Sequence, residues 1–393
     1  MRHTRASRWK AVIAASCLGI ALMGVSVPAF GAAQSLEEET LRLVSAFPAE
    51  DSLQRDELAS ELLKLGPEAI LQVCRLLRPP GPEDDAKARF ALNGIVTYAA
   101  RNGAETQRRV LIKALHRALE ELEAADVRAF LIRQLQLVGG NESVKPLRRF
   151  LLDPRLCDPA AQALETIGTP EAKKALRASL GKAAGKCRVT LVRTLGELRS
   201  RKAVKKILEF TENPDPEMRR VALFALANIG DPRAEAVLSR VPVAASSYDR
   251  TRAPSLYLLY VERLMESGYR VQGTRICRRL IQNYTAPQDI HVACAALNLL
   301  VETWGERGIE DVFRAVESPS GELRQCALAL AERLGGPEVT ARWVEKMTRV
   351  PPESQAQIIA MLGRRGDVTA LPSLKRMMRT GEKIVRLAAV PAV

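Results

Sequence analysis

The chain has 393 residues and a formal net charge of +14, from 59 Lys and Arg against 45 Asp and Glu. Hydrophobic residues make up 47% of it, which is enough to bury a core and excludes a wholly disordered chain. The apolar residues are chiefly Ala and Leu, which favours helices over sheets, and three His in the whole chain leave little room for histidine-based metal or acid–base chemistry.

The N-terminal segment has the three parts of a secretory signal peptide. Residues 1–10 contain four basic residues and no acidic one, an apolar run follows from Ala11 to Val27, and small residues surround Ala33. We therefore expect residues 1–33 to be a signal peptide that directs the mature chain to the periplasm or the extracellular space. The alternative is an uncleaved membrane anchor, for which this apolar run has only the minimum length.

Helical hairpins are predicted for the mature chain. Between Asp215 and Arg233, apolar residues recur at the three- and four-residue spacing of one helix face. Gly230 can end that helix in a left-handed conformation, and Pro232 suits the first turn of the next helix. We expect the apolar positions of this hairpin and of its later equivalent to be buried: Ala222, Ala225, Leu226, Ala327, Leu330 and Leu334.

The same turn signal recurs along the chain. Most intervals between successive signals are 29 to 31 residues, with two of 37 and 38, and this regularity indicates an array of two-helix units. We predict about ten hairpins, in an N-terminal half over 34–240 and a C-terminal half over 255–393, joined by a longer connection at 241–254. The clearest signals are Gly66, Gly168, Gly230 and Gly336, and less regular ones are Gly139, Gly140, Arg199, Gly268, Gly305 and Gly366.

Three segments carry a family resemblance: Asp215 to Asp231, Glu322 to Leu334, and Val385 to Ala389. They resemble HEAT repeats, specifically the short type named after phycobiliprotein lyases. The resemblance implies an all-α, right-handed α-solenoid used for binding. The Asp–Arg pair frequent in HEAT families is approximated only by Asn213 and Arg219. No polar capping repeat precedes Val393, so either the last repeat caps itself or the chain is a fragment.

Basic charge is concentrated in one stretch. Lys145 to Lys206 contains 16 Lys and Arg against 5 Asp and Glu, so it carries essentially the whole excess of positive charge in the mature chain. Such a local field attracts anionic partners: an acidic protein face, an anionic glycan or an anionic membrane surface. Phe150 is its only aromatic residue, which disfavours nucleic-acid binding by base stacking. The predicted binding residues are Lys173, Lys174, Arg177, Lys182, Lys186, Arg188, Arg193, Arg201, Lys202, Lys205 and Lys206.

The residue types favour a binding protein over an enzyme. A di-iron hydroxylase family with similar repeats needs several His-Glu pairs, whereas the mature chain has only His116 and His291, neither followed by Glu. We therefore predict no metal site, no cofactor and a non-enzymatic scaffold. The alternative is an enzyme, or a helper domain of a longer secreted enzyme.

Six cysteines remain in the mature chain, and none forms a Cys-x-x-Cys motif. Cys277 and Cys294 lie at equal distances from the turn predicted near Thr285, which places them at the same depth in consecutive antiparallel helices. They are the predicted disulfide candidates, provided that both side chains face the seam between the helices.

Overall fold

The computed structural model describes residues 29–82, 84–240 and 252–393, which contain helices and no β-strand. The first helix of each two-helix unit is called an A helix here. Each A helix packs on the A helices of the neighbouring units. The A helices are α2 (Ser52–Lys64), α4 (Ala86–Ala99), α6 (Ala125–Val138), α8 (Cys157–Ile167), α10 (Gly185–Glu197), α12 (Pro216–Ile229), α14 (Arg252–Glu266), α16 (Ile290–Trp304), α18 (Gly321–Arg333), α20 (Pro352–Arg365) and α22 (Lys383–Ala389).

The second helix of each unit is called a B helix, and several B helices are short and follow a single 3-10 turn. The surface that these helices form is called the B face. The B helices are α1 (Ala29–Ser45), α3 (Pro67–Arg75), α5 (Glu105–Glu121), α7 (Val144–Arg148), α9 (Pro170–Leu180), α11 (Val204–Leu208), α13 (Glu235–Leu238), α15 (Arg270–Asn283), α17 (Ile309–Val316), α19 (Pro337–Met347) and α21 (Leu371–Thr380).

The described residues thus form an α-solenoid of ten two-helix units, α2/α3 to α20/α21, preceded by α1 and followed by α22. This confirms the predicted fold class and the predicted number of hairpins. Of the predicted signal peptide, residues 1–28 lie outside the described residues, and 29–33 begin α1. The predicted connection at 241–254 lies outside them as far as residue 251. In the described part, no helix combines the length and the hydrophobicity needed to cross a membrane.

Most turns between the A and B helices contain a residue with positive φ. Gly66, Gly168, Gly230 and Gly336 all have positive φ, as do Gly268, Gly305 and Gly366. Arg199 takes the same place with φ 48°, and it is the only non-glycine residue of the described part with positive φ. These turn positions were predictable, whereas Gly139 and Gly140, at φ −71° and −121°, turn the chain differently.

Small side chains let successive A helices approach closely. All six residues predicted to be buried are buried, with Leu226 and Ala225 fully so. A Cβ atom on Gly196 of α10 would lie 2.7 Å from the Cα of Ala225 on α12, so only glycine permits this spacing. Toward the C-terminus the core gains aromatic contacts, since Phe313 packs edge-to-face on the fully buried Trp343 at 4.5 Å.

An arginine near the start of several A helices braces the preceding loop. Arg219 donates to the carbonyl oxygens of Asn213 (2.6 Å) and Pro214 (2.8 Å). Arg324, at the same place in α18, donates to the carbonyls of Ser318 (2.8 Å) and Pro319 (3.0 Å). The bond between Asn213 and Arg219 therefore uses a backbone carbonyl, unlike a side-chain Asp–Arg pair.

Candidate binding surface

The basic residues predicted from the sequence divide between two surfaces. Seven lie on the B face, and four lie on α10 or in the loop before it, on the A-helix side. The sequence stretch is therefore not one continuous patch. The B-face residues are Lys173, Lys174, Arg177, Arg201, Lys202, Lys205 and Lys206, and the others are Lys182, Lys186, Arg188 and Arg193.

Two of the residues on α10 stabilise the fold. Lys186 forms an ion pair with Asp158 at 3.2 Å. Arg188 donates to the carbonyl of Ala183 at 2.8 Å and stacks over the ring of Phe210. Arg188 therefore braces the preceding loop, as Arg219 and Arg324 do. This structural role explains why an arginine occurs there even if it binds no other molecule.

On the B face, four lysines of α9 and α11 are available for binding. Lys174, Lys202 and Lys205 are exposed and Lys173 is half-buried. No ion pair involves any of the four among the described residues. By contrast, Lys206 pairs with Glu209 at 2.5 Å. These four lysines are therefore cations that have no ion pair within the described part of the chain and that an anionic partner can reach.

Helix α15 extends the basic surface and was missed by the sequence analysis. It contains Arg270, Arg275, Arg278 and Arg279 and no acidic residue. Across the four units from α8 to α15, the B elements hold 12 basic and 2 acidic residues, whereas the A helices hold 7 and 6. The excess charge of these units is thus a property of the B face.

We call the following set the B-face band. Its members lie on B helices or on the 3-10 turns that precede them, within three units of one another along the solenoid. The B-face band comprises Lys173, Lys174, Arg177, Arg201, Lys202, Lys205, Lys206, Arg233, Arg275, Arg278 and Arg279.

Asp231 is the first of three buried or half-buried carboxylates that are each shared by two arginines. Arg201 (3.2 Å) and Arg233 (2.7 Å) both bond to Asp231, whose side chain is 3% exposed. The Arg201 guanidinium also bonds the hydroxyl of Tyr269 and lies over its ring. Burial alone would raise the pKa of Asp231, but the bonds from Arg233 and Arg201 outweigh it and lower this pKa to about 2.

Glu235 and Asp311 repeat this arrangement on either side of α15. Arg275 (3.4 Å) and Arg279 (3.6 Å) share Glu235. Arg278 bonds both oxygens of Asp311, at 2.9 and 3.1 Å, and Arg314 bonds the same carboxylate. Although burial raises the pKa of Asp311, these arginines lower it below its ordinary value. Each shared carboxylate leaves one net positive charge at the surface and fixes the direction of two guanidinium groups.

A hollow of about 630 Å³ lies beside α15 and is lined by Val271, Arg275, Arg278 and Trp304, among others. The indole nitrogen of Trp304 donates to the hydroxyl of Thr274 at 2.8 Å, so its polar atom is already satisfied within the protein. Val271 is 80% exposed. The hollow therefore offers an apolar wall surrounded by guanidinium groups.

The two histidines of the mature chain lie far apart in the fold. Nε2 of His116 on α5 is 3.0 Å from the hydroxyl of Ser143, and burial lowers the pKa of His116. His291 on α16 is exposed. The part of the chain that the structure describes contains no group of three or more His, Cys, Asp or Glu arranged to hold a metal ion.

Cys277 and Cys294 both carry free thiols in the structure. Cys277 is fully buried in the hydrophobic cluster that ends at α16, whereas Cys294 packs against the next cluster. The cysteine that contacts Cys294 is Cys326, whose sulfur lies 3.9 Å from the Cys294 carbonyl oxygen. Equal distance from a turn fixes the depth of a side chain but not the face on which it lies.

Comparison with known proteins identifies HEAT repeats in one part of the chain. Residues 182–257 match the family model for HEAT repeats. This match covers 76 of the 393 residues. It is to HEAT repeats in general, so the phycobiliprotein-lyase type stays a prediction. No curated protein sequence matches this chain.

Solved structures similar to this chain include human deoxyhypusine hydroxylase in complex with glycerol. It is 17% identical over 64% of this chain and 94% of that chain, with a TM-score of 0.27. A structure from work on a phosphorylation switch between cadherin and beta-catenin is 12% identical over 91% of this chain and 94% of that one, with a TM-score of 0.36. Kap121p is 12% identical over 91% of this chain and 48% of its own, with a TM-score of 0.39. These scores are too low to carry an argument about function.

Proposed function

We propose that this protein is an exported, non-enzymatic HEAT-repeat scaffold that binds an acidic face of another protein along its B-face band. The observation that carries the proposal is the distribution of charge: 12 basic against 2 acidic residues on the B elements of four consecutive units, and near balance on the A helices. Stacked units place these charges in a row, so that they act together on one extended partner.

The free lysines and the braced arginines have different parts in this proposal. Lys173, Lys174, Lys202 and Lys205 are mobile charges that attract an anion over a distance of about 10 Å at 0.1 M salt. Five of the six arginines of the B-face band are held by the three shared carboxylates, so less side-chain entropy is lost when these five bind. A protein partner is favoured because aligned arginine forks match carboxylate geometry.

Charge reversal on the two faces tests the proposal. The B-face reversal variant carries Glu in place of Lys173, Lys174, Lys202 and Lys205. The A-face reversal variant carries Glu in place of Lys64, Arg133, Arg193 and Arg220, which are exposed on A helices and have no ion pair among the described residues. Both variants lose the same net charge and are expected to keep their helices.

Affinity capture from the exporting cells, with each variant as bait, gives the readout. We expect the wild-type protein and the A-face reversal variant to retain the same acidic partner, and the B-face reversal variant to lose it. A partner retained equally by all three would show that the B face is only a solvated surface. A partner that proves to be a glycan or a membrane would contradict the choice of a protein.

Export is tested separately. If residues 1–33 are a signal peptide, mass spectrometry of the protein from the periplasm or medium should find a chain that begins at Gln34. Protein found only inside the cell with the intact N-terminus would contradict export but leave the binding proposal standing.

A further inference from the structure

We infer that the B-face band holds an extended acidic peptide segment, and that one apolar side chain of this segment enters the hollow beside Val271 and Trp304. This inference names the part of the partner that the proposed function requires, and it rests on that function. It goes further in assigning a second, apolar determinant at α15.

Charge is the first argument. Arg275 and Arg278 line the hollow, and they are 68% and 49% exposed. Each shares its carboxylate with a second arginine, so the surface around the hollow keeps a positive charge after its own acids are counted. A second hollow, of about 440 Å³, is lined by Arg201, Lys202, Arg233 and Tyr269 and has the same arrangement. Carboxylates on both sides of an apolar side chain complement this pattern.

The apolar wall is the second argument. The apolar side chain of Val271 is 80% exposed on α15, and Trp304 lines the same hollow. The Trp304 indole N–H is already bonded to Thr274, so the ring has no unmet need for a polar ligand. A purely polyanionic partner, such as a sulfated glycan, would place its negative charges against this apolar wall. A peptide with an apolar residue covers it.

Distance sets the length of the segment. Neighbouring helices pack 8–10 Å apart, and the second hollow is centred on Arg233 in the unit next to that of α15, so the two hollows are separated by about 10 Å. An extended chain rises about 3.3 Å per residue, and about three residues therefore connect them. The predicted segment has acidic residues at both ends of such a span and a bulky apolar residue at the α15 end.

Two synthetic peptides test the inference. Each has twelve residues, all Glu or Asp except for one central residue, which is Phe in one peptide and Ala in the other. Binding is followed by fluorescence of the Trp343→Phe protein, in which Trp304 is the remaining tryptophan beyond the predicted signal peptide. We expect the Phe peptide to change the emission of Trp304 and to bind about tenfold or more tightly than the Ala peptide, as burial of a Phe side chain implies.

Matched substitutions locate the site. Val271→Glu is expected to abolish the preference for the Phe peptide, and Val368→Glu, at a residue 78% exposed far along the solenoid, is expected to leave it unchanged. Equal binding of the two peptides, or a preference that survives Val271→Glu, overturns the apolar determinant while the charged band stands. Failure of both peptides to bind, together with normal capture of a partner through the B face, overturns the peptide inference but not the proposed function. Loss of both would overturn the two together.

Discussion

Asp231 shows at the scale of one residue how a cation-rich surface is held in place. Its carboxylate lies at the start of the turn before α13, accepts the backbone N–H of Arg233 at 3.1 Å, and neutralises part of the charge of Arg201 and Arg233. Removal of this charge would leave two guanidinium groups facing each other across a buried site.

We therefore expect Asp231→Asn to lower the free energy of unfolding by about 2 kcal/mol at pH 7, since about 1.4 kcal/mol corresponds to each pKa unit. The folded-state pKa of about 2 lies below the ordinary 3.8, so the advantage of the wild-type protein is present above pH 4 and disappears as the pH falls toward 2. Urea unfolding of both proteins at pH 7, 4 and 3 measures it. A difference that is the same at every pH would show that the charge of Asp231 is not its cause.

Arg199 and Gly230 occupy the same turn position in consecutive units but should respond oppositely to substitution. Arg199 has φ 48°, a conformation that costs a side-chain residue roughly 1–2 kcal/mol, and its exposed ion pair with Glu266 returns little of this. We expect Arg199→Gly to leave stability unchanged or to raise it by up to about 1 kcal/mol.

For Gly230, a Cβ atom would lie 2.4 Å from the carbonyl carbon of Arg263, in addition to the positive φ. We expect Gly230→Ala to cost about 2 kcal/mol or more, because α12 and α14 must move apart. Thermal unfolding of the two variants beside the wild-type protein measures both effects. A similar loss of stability in both variants would contradict the assignment of Arg199 and Gly230 to a turn position that favours glycine.

At the scale of the element, packing between A helices is expected to provide most of the stability of each unit. Leu226 on α12 is fully buried, and Leu226→Ala should cost about 2–5 kcal/mol because it leaves a cavity between units. Leu137→Ala is the matched control, since Leu137 on α6 is 66% exposed and its truncation should change stability little. Guanidinium unfolding measures both. Equal effects would mean that α12 is not part of a continuous core.

The ends of the helices could be predicted from the sequence, because residues at each turn determine them. Gly230 and its equivalents allow a left-handed turn, and Pro232 can begin a helix, so the turns were predictable within a single hairpin. Even Arg199 was placed correctly, from its interval to the glycines on either side of it.

The binding surface was only half predictable. A count of charges along Lys145 to Lys206 groups the basic residues of α10 with those of α9 and α11. Arg188 and Lys186 of α10, however, bond to other residues of the protein itself. The count misses α15, because residues 207–269, which separate α15 from this stretch, hold 9 acidic against 7 basic residues, so the excess charge counted along the chain ends at Lys206. Charge on one face of a solenoid is distributed with the period of the repeat, and the pairing with Glu235 and Asp311 depends on contacts between units.

At the scale of the whole molecule, we propose that the A helices hold the units together and the B helices bind the partner. A helices pack on one another and bring glycine and alanine into the closest contacts. B helices between α9 and α15 carry the net charge. The division is physically reasonable, because a surface that must stay solvated and charged cannot also provide tight helix packing.

The most direct test is the affinity of the protein for polyglutamate at 0.1 M and 1 M salt, measured for the wild type and the two reversal variants. The screening length falls from about 10 Å to about 3 Å over this range, so wild-type binding should weaken steeply. We predict that the A-face reversal variant behaves as the wild type does, whereas the B-face reversal variant does not bind at either salt concentration. Equal weakening by the two reversals, or binding that does not depend on salt, would contradict the assignment of recognition to the B face.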